Sequence, residues 1–299
     1  PGERVVDAAG LVLAPGFIDT HSHHDRGLDE ARDALAAVSQ GITTIVVGQD
    51  GGGADLAARF ARLEARPAAV NVASYAGHGE IRERVMGDDY KRHATPGEIG
   101  RMAEILAREM EAGALGLSTG LEYDPGIYSS PEEVRALAKV AAGAGGRYIS
   151  HMRSEDRDFW QALDELIAIG REIGMPVQVS HLKLAMRSLW GQSAKLLAEL
   201  DAARASGVNV TADIYPYTYW QSNLGVLYPK RNFDDPAETA FVLEHVAGAG
   251  DIIFNSFPAH RDYEGKTLEA VAAMRGEAPA VTLMALLAEP RGSSAGIVA

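Results

Sequence analysis

The sequence predicts an α/β fold with a parallel sheet covered by helices. Seven apolar runs rich in Val, Ile and Ala alternate with amphipathic segments, and ionisable residues collect just past the ends of those runs. A third observation narrows the choice between a (β/α)8, TIM-type barrel and an open doubly wound sheet. "GQDGGGAD", residues 48–55, has glycines but neither the GxGxxG nor the GxxxxGK[ST] spacing, so a nucleotide-binding sheet is the weaker option.

Strands are expected near 16–22, 43–48, 69–75, 113–118, 147–151, 176–181 and 208–214. Helical patterns fall between them at 29–41 (DEARDALAAVSQG), from about Asp55, at 97–113, 131–146, 158–174 and 193–207, several closed by Gly where a helix needs a stop. No linker, low-complexity tract or short repeat interrupts this βα alternation.

Composition sets the chemistry. The chain has 299 residues and is 46% hydrophobic, enough for a sizeable core. Acidic residues outnumber basic ones 41 to 28 and no block of Lys or Arg stands out, which argues against a nucleic-acid groove or an anionic membrane surface and for a small-molecule partner; a homo-oligomer is compatible with it. The absence of cysteine excludes disulfides, thiolate zinc sites and cysteine nucleophiles, so a metal must be held by His, Asp, Glu or a modified Lys. No run of eighteen apolar residues and no basic-then-apolar leader occurs, so a membrane span is not expected and a cytoplasmic location is. The chain begins at Pro1, and its true start is expected upstream.

On a strand, residues two apart point to one side, so His21 and His23 of "GFIDTHSHHD" present both imidazoles to one spot while Ser22 points away. In a parallel barrel the C-terminal strand ends share one face. Asp50 follows the second strand, His78 the third, Glu122 and Tyr123 the fourth, His151 the fifth, His181 and Lys183 the sixth, and Asp213 and Tyr215 the seventh. His78 reads as an ordinary hydrogen-bonded strand-end histidine; His24, His93, His245 and His260 have no expected role.

The stretches "LAPGFIDTHSHHD", "GITTIVVG", "EMEAGALGLSTGLEYDPGIYSS", "YISHMRSE", "PVQVSHLK" and "VTADIYPYTY", in order over most of the chain, resemble the amidohydrolase superfamily and within it the N-acyl-D-amino-acid deacylases. The resemblance implies a metal-dependent (β/α)8 barrel that hydrolyses the amide of an N-acyl-D-amino acid with one or two divalent ions, zinc first among them. It makes His21 and His23 the first-strand metal pair and His151 and His181 the fifth- and sixth-strand ligands. Lys183, Tyr215 and Tyr123 resemble residues that grip the substrate carboxylate and orient the scissile carbonyl. Apart from the resemblance, an α-carboxylate needs cations close by, for which one of Lys230 or Arg231 in "YPKRNF" is a candidate and a solvated charge cluster the plain alternative. Arg153 and Glu155 of "HMRSE" support the ligands or simply pair with each other.

Two departures matter. Where these deacylases carry a metal-binding cysteine in a "VVGNCG"-like turn, this chain reads "VVGQDGGG", which puts Asp50 there as a fifth candidate ligand; capping the helix near Asp55 is the plain alternative. The family's eighth-strand aspartate, the general base, has no counterpart after Tyr219, and Asp213 belongs to the seventh strand. The catalytic base is therefore expected beyond Ala299, residues 16–299 as a barrel lacking its eighth strand with unpaired edges on strands one and seven, and residues 1–15 as the remnant of a small N-terminal β-domain. Two competing readings stay open: hydrolysis of another amide, such as a hydantoin, dihydroorotate or a dipeptide, and a metal-binding barrel without activity.

Overall fold

The computed structural model describes residue 5, residues 7–53 and residues 55–299. Of the segment expected as a β-domain remnant, residues 1–4 and 6 lie outside the described residues, and 5 and 7–15 form no strand.

Parallel strands β1 (Phe17–Asp19), β2 (Ile42–Val47) and β3 (Asn71–Ser74) pair in sequence order, and so do β4 (Ala76–Gly77), β5 (Gly116–Gly120), β6 (Arg147–His151), β7 (Val177–Val179) and β8 (Val210–Ala212). Only Tyr75 separates β3 from β4, so one chain segment pairs with β2 on one side and β5 on the other. Each strand thus neighbours the next in sequence, which is barrel order; a doubly wound sheet reverses its order partway.

The helices between them are α1 (Leu35–Val38), α2 (Leu56–Ala65), α3 (His78–Met86), α4 (Pro96–Glu111), α5 (Pro131–Gly143), α6 (Phe159–Ile173) and α7 (Ser193–Ala205). Their apolar faces bury Leu106, Leu137, Phe159 and Leu166 against Leu117 and Val177 of the sheet, which forms the main core. The start of α4 is set by a capping box: Thr95 Oγ1 accepts from Glu98 N–H while the Glu98 carboxylate accepts from Thr95 N–H.

The structure adds to or departs from this reading at three places. The helix expected over 29–41 contracts to α1, because Ala34 takes a left-handed conformation (φ 45°) and the Arg32 carbonyl accepts from Ala69 N–H, 2.8 Å away, rather than from its own turn. Asp50 does not cap α2: the free amides of Asp55 and Leu56 donate to the two carboxylate oxygens of Glu109 on α4, each at 2.8 Å. Residues beyond 219 form β9 (Gln221–Asn223), α8 (Pro236–Phe241), β10 (Ile253–Ser256), α9 (Leu268–Arg275), α10 (Pro279–Ala288) and β11 (Gly296–Val298), with the three strands in a separate antiparallel sheet ordered β10-β11-β9. Among the described residues, then, no eighth strand pairs with the outer edges of β1 or β8, and no single helix is long and apolar enough to cross a membrane.

Behind the strand ends lies a fully buried polar cluster. His78 Nε2 and Glu133 Oε1 are 2.7 Å apart, and Arg82 donates to the second Glu133 oxygen and to the carbonyls of Tyr90, Arg92 and Tyr128. His78 thus has a structural partner. Burial alone would raise the Glu133 pKa, but His78 and Arg82 outweigh it and hold the carboxyl below its ordinary value of 4.5. A depressed carboxyl pKa adds stability above the unfolded value that is lost as pH falls through the folded one. Glu133→Gln is expected to destabilise the fold by about 3 to 5 kcal/mol at pH 7, since it strands a buried guanidinium. The deficit relative to wild type should shrink below pH 4.5; denaturant titrations of both proteins at pH 7 and pH 4 measure this.

Candidate functional site

The site is assembled at the C-terminal ends of β1, β2, β6, β7 and β8. β1 stops at Asp19, so His21 and His23 lie just past the strand. The alternation survives because Ser22 N–H still donates to Val46 O at 3.0 Å, and Ser22 is buried with its hydroxyl on His24 Nδ1. His21 and His23 therefore face the same way, their ring centroids 5.4 Å apart.

The turn after β2 aims Asp50 at them. Asp50 is left-handed (φ 53°), a conformation Asp tolerates better than most residues. The turn lies so close to β4 and β5 that a Cβ on Gly77 would sit 2.1 Å from Gly52 O and one on Gly120 2.2 Å from Asp50 O. Gln49 anchors the turn by donating to the carbonyls of Thr20 and Val46. As a result, Asp50 Oδ2 is 3.2 Å from His23 Nε2, and Asp50 Oδ1 is 3.7 Å from His21 Nε2 and 3.5 Å from His181 Nε2. His181 Nε2 is in turn 3.0 Å from His151 Nδ1. All five expected ligands meet here, as two three-residue groups that share Asp50 (His21, His23, Asp50 and Asp50, His151, His181), each with its ligand atoms within 4.8 Å of one another.

Carboxylates stand on the far side of three of these rings. Asp213 Oδ1 is 3.2 Å from His21 Nδ1, Glu122 Oε2 is 2.9 Å from His151 Nε2, and Glu155 Oε1 is 2.9 Å from His181 Nδ1. Asp213 also accepts from His181 N–H (2.6 Å) and Gln178 Nε2 (2.7 Å), which pins His181 at its positive φ of 34°. Glu155 pairs with Lys183 Nζ at 2.5 Å and not with Arg153, whose guanidinium is taken by Glu165. Sequence reasoning marked Glu122 and Asp213 only as strand-end residues and left Glu155 undecided. Their position was the available signal; their partners were not legible.

The electrostatics follow. For Asp50, burial opposes ionisation, but His181, His21 and His23 hold it well below the usual carboxylate range. Burial likewise works against a charge on His21 and His181, yet Asp213 and Asp50 push His21 up to about 9, and Glu155 and Asp50 push His181 up to about 10. Glu155 and Asp213 are lowered, against the effect of burial, chiefly by Lys183 and by His21 respectively. Asp50, Asp213 and Glu155, all held ionised, leave two negative charges against the Lys183 ammonium, which protons on His21 and His181 balance; Glu122 stands outside this count because burial pushes its carboxyl up. A divalent cation would balance the same two.

Tyr123 is half-buried with its ring 4.3 Å from that of His151, and desolvation of its hydroxyl pushes the phenol well up. Lys183 and Tyr215 line the same cleft, of about 1350 Å3, and the Tyr215 hydroxyl has no hydrogen-bond partner among the described residues. Lys230 and Arg231 correct the expectation. Lys230 is exposed outside the cleft lining. Arg231 spends its donors on Asp124 and on the carbonyls of Gly225, Tyr228 and Glu122, where it braces the loop carrying Tyr123. Among the described residues, Arg26 is the basic side chain lining the cleft besides Lys183.

A model of the amidohydrolase family matches residues 4–290. N-acyl-D-glutamate deacylase of Alcaligenes xylosoxydans xylosoxydans is 39% identical over 254 residues, covering 77% of this chain and 51% of the relative. D-aminoacylase of the same organism is 35% identical over 296 residues, covering 91% and 57%. The crystal structure of N-acyl-D-glutamate deacylase from Bordetella bronchiseptica, complexed with zinc and a phosphonate mimic of the tetrahedral intermediate, superposes with a TM-score of 0.81 at 33% identity, over 95% of this chain and 60% of that one. The chain spans about half the length of the curated relatives it matches. A match over nearly its whole length, on parallel strands in barrel order, means that the chain belongs to the amidohydrolase family.

Proposed function

We propose that the protein hydrolyses the amide of N-acyl-D-amino acids with one or two divalent ions, most simply zinc, releasing a carboxylate and a free D-amino acid. The observation that carries this reading is the convergence of four imidazoles on Asp50, whose buried Oδ1 has no hydrogen-bond partner among the described residues. Nitrogen and carboxylate oxygen donors suit zinc, and a shared carboxylate can bridge two ions. The deacylase names of the relatives and the zinc in the Bordetella structure support the same chemistry.

In this reading His21, His23, Asp50, His151 and His181 hold the metal. Bound there, a divalent ion supplies Lewis-acid polarisation of the scissile carbonyl and acidifies a water. Side chains of this chain bind and orient the substrate. Tyr123, kept neutral by desolvation of its hydroxyl, donates that hydroxyl to the carbonyl oxygen and orients it. Lys183, through its ammonium, and Tyr215, through its hydroxyl, both donate charge-assisted hydrogen bonds to the α-carboxylate. Asp213, with both oxygens engaged by His21, His181 N–H and Gln178, supports the rings and does not move the proton.

Protein purified without chelator is expected to carry about one or two equivalents of zinc or a similar ion. Elemental analysis that finds none, with no uptake on adding zinc, removes the reading. Asp50→Asn should lower metal content or turnover of an N-acetyl-D-amino acid at least about tenfold, because the amide loses the charge that faces three imidazoles; wild-type behaviour would free Asp50 of the role. Lys183→Met should raise KM about 10- to 150-fold, the equivalent of about 1.5 to 3 kcal/mol for a hydrogen bond to a charged group, with metal content measured alongside because Lys183 also pairs with Glu155 behind His181. Steady-state kinetics on N-acetyl-D- and N-acetyl-L-amino acids, with a hydantoin and a dipeptide alongside, measures both the loss and the substrate class.

A further inference from the structure

We propose that Glu122 is a positioning residue: by accepting the Nε2–H of His151 it sets the tautomer of that ring and leaves Nδ1 turned towards His181 and Asp50. The inference rests on the metal-centre reading above and extends it to a residue that is not one of the five expected ligands.

A neutral imidazole has one donor and one acceptor nitrogen, so an ionised carboxylate, which only accepts, assigns both; burial raises the Glu122 pKa, while His151 and the N–H of Glu155 draw the carboxyl back towards that ionised form. Glu122 Oε2 lies 2.9 Å from His151 Nε2, with both side chains more than nine-tenths buried. The other nitrogen, Nδ1, lies 3.0 Å from His181 Nε2, on the side where Asp50 Oδ1 approaches. With the opposite tautomer, a ring lone pair would face a buried carboxylate, and an N–H would occupy the ligand side.

Glu122 is itself held in place. Its second oxygen accepts from Glu155 N–H at 3.2 Å, and its main-chain carbonyl accepts from Arg231 at 2.8 Å. Arg231 also donates to Asp124, so the residues on both sides of Tyr123 are fixed, and the Tyr123 ring covers His151. His151 therefore has a carboxylate at one edge, an aromatic face above it and His181 at the other edge. Carboxylates that accept from the outer nitrogen of a metal-binding histidine orient the ring and raise its basicity, and their loss typically weakens metal binding 10- to 100-fold. The competing arrangement uses Glu122, His151 Nε2 and Glu155 directly as a ligand group, since these atoms also lie within 4.8 Å of one another. That arrangement requires the proton on Nδ1.

The test has two readouts on the whole protein. In the metal-free wild type, nitrogen-15 imidazole spectra at a pH where the ring is neutral should show His151 protonated at Nε2. In chelator competition, Glu122→Met should bind zinc about 10- to 100-fold more weakly. Glu122→Gln, whose amide oxygen still accepts from Nε2–H, should recover most of that loss. A wild-type His151 protonated at Nδ1, or a Glu122→Met variant with wild-type zinc affinity, overturns the proposal. If Glu122→Met does not fold, the wild-type ring spectrum decides alone. A wild type that shows the Nε2–H tautomer but takes up no zinc overturns the metal centre and supports the Glu122–His151 pair.

Discussion

The carboxylate of Asp50, buried among imidazoles from three other strand ends, is the constraint to which the rest of the site conforms. An unpaired anion in that position would be costly, and it stays ionised because His21, His23 and His181 surround it. Delivering it there requires a left-handed residue after β2 and a turn pressed against two further strands. Gly77 and Gly120, on strands that contribute no ligand, are glycine for that reason: a side chain on either would strike the backbone of the turn. Residues far apart in sequence are thus tied to one carboxylate.

Around this centre the protein builds a shell of opposite chemistry. Asp213, Glu122 and Glu155 each face the outer nitrogen of one histidine, so three rings are held from behind as well as from the front. Lys183 completes the balance by pairing with Glu155, which places an ammonium group at the cleft beside the candidate metal position. The surplus that Asp50, Asp213 and Glu155 leave against Lys183 is compact and matched to a small dication or to two ring protons. Arg231 acts one step further out, bracing the backbone that carries Glu122 and Tyr123.

Elsewhere, tertiary contacts override local preference in two places that bear on the site. The segment 29–41 has a helical pattern, yet most of it is drawn into turns because the Arg32 carbonyl pairs with Ala69 N–H. Helix α2 starts with no cap of its own, and Glu109 of α4 supplies one across 54 residues of sequence. That exchange leaves Asp50, six residues before the first residue of the helix, available to the histidines.

The sequence by itself determined the parallel α/β architecture, because apolar runs alternating with amphipathic segments can bury their faces only as strands under helices. It also determined which strand ends carry His21, His23, Asp50, His151 and His181, since those positions follow directly from where each apolar run stops. Only the tertiary structure decided the partners. Whether Arg153 meets Glu155 or Glu165, whether Arg231 reaches a cleft or a carbonyl, and which nitrogen of His151 faces Glu122 depend on how separate βα units are rotated against one another. Pairing across strands is set by three-dimensional packing, for which a single chain of letters carries no distance.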